Sequence, residues 1–162
     1  MSTLTVWKFD TTYGAESGAQ TLRRLPSNER ESVHEAARVS WVRGISKPTT
    51  RLMDELSSEE ALGDDFFGLL FAVIFFSPLV GAAVGSARGA FLGSLSEVGI
   101  DDTFVNRIRD TVTPGTSALF LLGSDDAVDQ VREALRLDPP VNVLVARLSP
   151  RQLGALREVF VG

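Results

Sequence analysis

The sequence predicts an α+β fold: a ferredoxin-like βαβ-βαβ sheet carrying an inserted hydrophobic glycine-zipper helical hairpin. Three observations lead there. Strand, helix, strand is the order of the periodic stretches in both the first and the last part of the 162-residue chain. Between them lies a run, 66–87, without a charged side chain. Gly81, Gly85, Gly89 and Gly93 then follow one another at every fourth position. In a helix that spacing forms a slowly turning stripe along which another backbone approaches closely. The expectation is one domain over 1–162, with the hairpin at 62–98 inserted in it.

Each element has a local reason. Residues 4–9 alternate in polarity, as a half-buried strand does, and Asp10 ends them. Ala15, Ala19, Leu22 and Leu25 recur at helical spacing before Pro26, which predicts a helix over 15–25. A second strand is expected over 36–42. Across a turn at 44–48, residues 49–53 return as its hairpin partner. Ser57 and Ser58 precede Glu59 and Glu60, the pattern of a helix start in an acidic segment, 56–65. Ser77-Pro78 divides the apolar block into two helices, 66–77 and 79–97.

After the hairpin, Asp101 is the expected N-cap of a helix with Phe104, Val105, Ile108 and Val112 on its apolar side, stopped by Pro114-Gly115. The continuous apolar run 117–122 reads as a strand, and Ser124 as the cap of a helix over 127–137. Pro139-Pro140 precedes a strand at 141–148, and a last helix, 150–160, starts on a proline. Two βαβ halves of this kind call for one sheet with helices on one face.

Composition narrows the function. The formal net charge of −5 carries no basic nucleic-acid footprint, and Lys8 and Lys47 are the only lysines. Without cysteine the chain has no disulfide, thiol nucleophile or thiolate metal site, and its single histidine, His34, cannot form a histidine pair. Residues 1–10 lack a basic stretch followed by an apolar one, so a cytoplasmic start is the expectation.

Topology constrains the hairpin further. A single bilayer crossing through 66–87 would put the two halves of one sheet on opposite sides of a membrane, so an even number of passes, or none, is required. A helix over 66–77 reaches about 18 Å, whereas a full span takes about 20 residues for a core of about 30 Å. A shallow or re-entrant hairpin fits better than two full spans. Arg88 lies mid-helix, where an arginine at the bilayer centre costs roughly 2.5–3.5 kcal/mol on translocon scales; reaching back to Asp65 would relieve it. Small residues, among them Gly81, Ala82, Gly85, Gly89 and Gly93, cover most of the second helix. One partner cannot use so wide a small face, which points to helices from other subunits and a homo-oligomer. The expected packing residues are Phe71, Phe75, Pro78, Gly81, Gly85, Arg88, Gly89 and Gly93. Close packing inside one soluble domain is the alternative.

The run from Glu97 through Ile100-Asp101-Asp102 to Val105, followed by Pro114 to Leu122, resembles the bacterial family called domain of unknown function 1269. Its members share a βαβ start, an apolar Gly/Ala hairpin with an Asn- or Ser-Pro-Leu break, an I-D-D-x-F helix and a P-G-x-S-A-L-F run. Here the break is Ser77-Pro78-Leu79, continued by Val80-Gly81-Ala82-Ala83-Val84-Gly85. Proteins similar to this are described as predicted membrane proteins. The resemblance implies architecture and supplies no activity. Arg88 departs from a simple membrane span.

The remaining candidate sites have plain structural readings beside their chemical ones. Glu97, Asp101 and Asp102 are possible metal ligands, but helix capping accounts for the two aspartates. Asp54, Glu55, Glu59, Glu60, Asp64 and Asp65 read as a solvated face. His34 reads as a surface or loop histidine, with no nucleophile motif beside it. The turn 114–117 enters a strand and opens no helix, so it lacks the geometry of a phosphate loop; a positive φ at Gly115 is expected. Trp7 and Trp41 lie in strands and read as packing residues, with Tyr13 a candidate for a binding face.

The expected function is that of a non-enzymatic structural or assembly protein, self-associating through the hairpin at the cytoplasmic face of a membrane. The alternative is a soluble homo-oligomeric ligand-binding or regulatory module in the cytoplasm whose hairpins bury one another. No cofactor and no metal are expected, lipid is a possible partner, and nucleic acid is not.

Overall fold

The computed structural model describes residues 2–53, 62, 64–76 and 100–160. Its described elements are β1 (Ser2–Phe9), α1 (Gly14–Arg23), α2 (Ser27–Arg30), β2 (Val33–Ser40), β3 (Thr49–Leu52) and α3 (Asp64–Phe71), the last running on as a π-helical stretch, Ala72–Phe76. After these come α4 (Asp102–Thr111), β4 (Ser117–Ser124), α5 (Asp125–Ala134), β5 (Asn142–Leu148) and α6 (Pro150–Phe160). The five strands form one antiparallel sheet in the order β3-β2-β4-β1-β5. Mixed α and β structure, a single sheet and both strand–helix–strand halves agree with the sequence.

Both faces of the sheet are covered, where the sequence predicts helices on one face only. On the first face Ala15, Ala19 and Leu22 of α1 and Ala127 and Val131 of α5 close over Trp7, Leu119 and Leu121. On the second, α3 and α4 lie over Leu4, Val6, Phe120, Leu122 and Leu144. Apolar cover on both sides explains why β4 reads as a continuous apolar run, since a strand buried on both faces has no polar side to show. Helices α3 and α4 supply the second layer.

Several local devices set this geometry. Ser117 of β4 donates from Oγ to the Thr11 carbonyl at 2.6 Å and accepts from the Ala15 N–H at 2.9 Å. It thereby satisfies a first-turn donor of α1, whose N-cap, Tyr13, offers no side-chain bond. Gly123 faces the Ser32 carbonyl and Ala127 so closely that a β-carbon there would lie 2.6 Å and 2.9 Å from them. Gly115 has the expected positive φ, +89°, in a turn where Thr116 Oγ1 donates to the Thr113 carbonyl at 2.7 Å. The Trp7 indole N–H donates to Thr5 Oγ1 at 2.7 Å, so a fully buried tryptophan keeps its polar atom paired.

Strand β2 spans Val33–Ser40, three residues upstream of the expected start, and a bulge explains the misreading. Val33 pairs with Gly123, and Glu35 already pairs with Leu122. The extra residue, His34, reverses the alternation, so Val33 and Ala36 face α1 and α5 while Glu35, Ala37 and Val39 face the insert. His34 is therefore a buried strand residue, not a surface or loop one. The hairpin partner β3 and the Asp101 cap, whose Oδ1 accepts from the Phe104 N–H at 2.9 Å, are as expected. Ser124 is the N-cap of α5 without a side-chain bond, and that helix starts at Asp125 and ends at Ala134, ahead of the expected 127–137. The short α2 is not foreseen by the sequence reading. The acidic helix start at 57–60 and the second hairpin helix, 79–97, lie outside the described residues.

Candidate functional site

The candidate site is the root of the glycine-rich segment, where α3 leaves the sheet and the chain returns at Ile100. Phe66, Phe67, Leu70, Phe71 and Ile74 recur at i, i+3 and i+4 spacing, which gathers them on one helical face. That face lies on the chain's own sheet, and all five side chains are buried. Leu69 points the other way and is 37% exposed.

Two of the expected packing residues fall in this cluster. Phe71 stacks on Phe67 with ring centroids 5.7 Å apart and meets Phe120 of β4 edge-on at 5.0 Å. Phe75 is half-buried, tilted against Phe71 at 6.2 Å and edge-on to Trp41 at 6.0 Å. Both are engaged within the chain. Pro78, Gly81, Gly85, Arg88, Gly89 and Gly93 lie outside the described residues, as does Asp65 as a side chain.

Arg109 ties the end of this helix to α4. Its Nε donates to the Ile74 carbonyl at 3.0 Å and its Nη2 to the Val73 carbonyl at 2.9 Å. Nη1 bonds Asn106 Oδ1 at 3.0 Å, which steadies the guanidinium from its own helix. A planar fork of donors can serve two successive carbonyls at once, and a cation at the C-terminal side of a helical turn is favoured by the backbone dipoles. The π-helical stretch is thus bonded where it meets α4. Ile100 is buried in the same cluster as Val73 and Ile74, so the described residues on either side of 77–99 lie on one face of the sheet.

On the same face the Glu35 carboxylate, 2% exposed, accepts from the Leu62 N–H at 2.8 Å. The bulge in β2 puts this acid under the insert, and the bond fixes the chain just ahead of α3. Neither Glu35 nor Arg109 is singled out by sequence reasoning, since a charged residue in an amphipathic pattern reads as a solvated one. A faint signal exists for Arg109, which directly follows the apolar Ile108 and so borders the buried stripe of α4.

Elsewhere, a cleft of about 300 Å³ opens between the β1–α1 and α5–β5 loops, lined by Asp10, Tyr13, Asp138 and Val141 among others. A second, of about 280 Å³, lies between α1, α2 and α5 and is lined by Leu25, Glu29, Asp129, Gln130, Glu133 and Ala134. Among the described residues no three His, Cys, Asp or Glu side chains come together in a way that would hold a metal. Among those residues, too, no helix is long and apolar enough to cross a membrane. Of the tryptophans, Trp7 is core; Trp41 is half-buried beside Phe75, its indole N–H donating to the Ile45 carbonyl at 2.8 Å.

Residues 61–161 match the model of the family described as "Protein of unknown function (DUF1269)". No curated protein and no solved structure matches the chain.

Proposed function

The chain belongs to the DUF1269 family, and from that premise we propose that it is a non-enzymatic, homo-oligomeric assembly or regulatory module. Its copies join through the glycine-rich segment 77–99, and its sheet is the ferredoxin-like scaffold that presents this segment. With β3 set aside, β2-β4-β1-β5 is the order expected of two interleaved βαβ halves, which supports the scaffold reading.

One observation carries the functional reading: α3 and its π-helical continuation lie on the chain's own sheet, and Ile100 rejoins that face. Within the apolar hairpin region, 77–99 is then the segment through which copies meet. Two bilayer crossings need roughly 40 residues, at about 20 for each, more than this segment offers. One crossing would leave its ends on opposite sides of a membrane. Close helix contact between copies, along Gly81, Gly85, Gly89 and Gly93 beyond the Pro78 break, fits both the length and the small side chains. Arg88 is also better placed in a protein interface, with carboxylates or carbonyls to meet, than in hydrocarbon. The cytoplasm suits such a module, with or without contact to a membrane surface.

The test is expression without detergent, followed by light scattering on the wild type and on the Gly85→Leu/Gly89→Leu double variant. A wild-type particle of several subunits that falls to a smaller one in the variant, with unchanged circular dichroism, is the expected result. Recovery of the wild type only from membranes, released by detergent and not by high salt, would overturn it in favour of lipid insertion.

A further inference from the structure

The two edges of the sheet are not alike. At one end β3 is four residues long, Thr49–Leu52, and carries exposed Arg51, as protected edges do. At the other, β5 offers seven residues, Asn142–Leu148, without proline, and has no strand beyond it among the described residues. Its inner side chains, Leu144, Ala146 and Leu148, are buried, while Val145 on the opposite face is 38% exposed and Val141 just ahead is 51% exposed. Tyr13 shares a cleft with Val141, so apolar surface continues past the start of the strand. A long edge of this kind is a template for another strand.

We infer that β5 pairs antiparallel with β5 of a second copy of this chain, about a two-fold axis through Val145, making one continuous sheet across a dimer. Two properties of the strand select this partner. In the register where Val145 opposes itself, Arg147 falls opposite Val143, so no like charges meet. The strand is also charge-polarised along its length, with exposed Asp138 ahead of its start and exposed Arg147 and Arg151 at and beyond its end. Antiparallel pairing brings the acidic end of one copy beside the basic end of the other, twice by symmetry. This contact is separate from the one made by 77–99, and with it the chain has two self-associating surfaces.

The absence of native cysteine makes the test direct. In the paired dimer the two Val145 α-carbons lie about 4.5–5.5 Å apart, within the span a disulfide bridges. Those of Arg147 lie about 14 Å apart, four residues along the strand. Mild oxidation should convert Val145→Cys to a covalent dimer and leave Arg147→Cys almost wholly uncrosslinked. Because both substitutions are at exposed positions, circular dichroism should match the wild type. The same contrast should persist in the Gly85→Leu/Gly89→Leu background, which separates this contact from the glycine-rich one. As a second measure, Val145→Glu and Val145→Lys should each lose the pairing, and an equimolar mixture should regain it. Equal crosslinking of the two cysteine variants, crosslinking of neither, or a mixture that stays unpaired would overturn the inference.

Discussion

The two faces of the sheet reach the same degree of burial by different routes. On the face of α1 and α5, each helix follows a strand directly and folds back over it, so cover and covered surface are close in sequence. Ala15, Ala19 and Leu22 need only the 3.6-residue period to find Trp7 and Leu119. On the other face, the cover comes from α3 and α4, and α3 is held there by tethers. The Glu35 carboxylate holds the Leu62 N–H ahead of α3, and Arg109 holds the Val73 and Ile74 carbonyls at its far end. A layer that is not held by short connections is held by charge-assisted hydrogen bonds.

If the insert is core on equal terms, truncation should cost the same on either side. Phe67→Ala, beneath the insert, and Leu22→Ala, under α1, should each destabilise by about 3–5 and about 2–5 kcal/mol respectively, read from urea midpoints. A loss below about 1 kcal/mol for Phe67→Ala alone would make the second face a loose cover and reopen lipid as the partner of α3. Next in size is Arg109→Lys. It keeps the charge but cannot bond two carbonyls in one plane, and should cost about 1 kcal/mol. Amide exchange should then accelerate in α3 and leave α1 unchanged, which would sharpen the contrast between tethered and directly connected cover. The smallest effect is expected at Ser124→Ala, within about 0.5 kcal/mol by the same urea titration, because that N-cap makes no side-chain bond.

How much of this was legible in the sequence follows the same division. The strand–helix–strand halves, the Asp101 cap, the Gly115 turn and the β2–β3 hairpin are decided by residues close together in the chain, and each could be read there. The destination of α3 could not. Its apolar face at Phe66, Phe67, Leu70, Phe71 and Ile74 states that it will be buried and is silent on whether sheet, neighbour or lipid does the burying. Phe71 and Phe75 accordingly read as residues for oligomer or membrane packing, and their intrachain partners Phe120 and Trp41 were not legible. Glu35 and Arg109 escaped for a related reason: their roles depend on carbonyl and N–H groups of another element, 27 to 36 residues away along the chain.

The irregularity in β2 has the character of a shift in reading frame. Upstream of His34 the strand is phased to α1 and α5; downstream the phase is inverted, and Glu35 drops beneath the insert. What keeps both layers in place is thus the number of residues in the strand, more than the identity of the one that is extra. A substitution at His34 preserves that count. Deleting it forces a choice between Val33 under the helices and Glu35 at Leu62, so a one-residue change in length on one strand is communicated to both faces of the molecule at once.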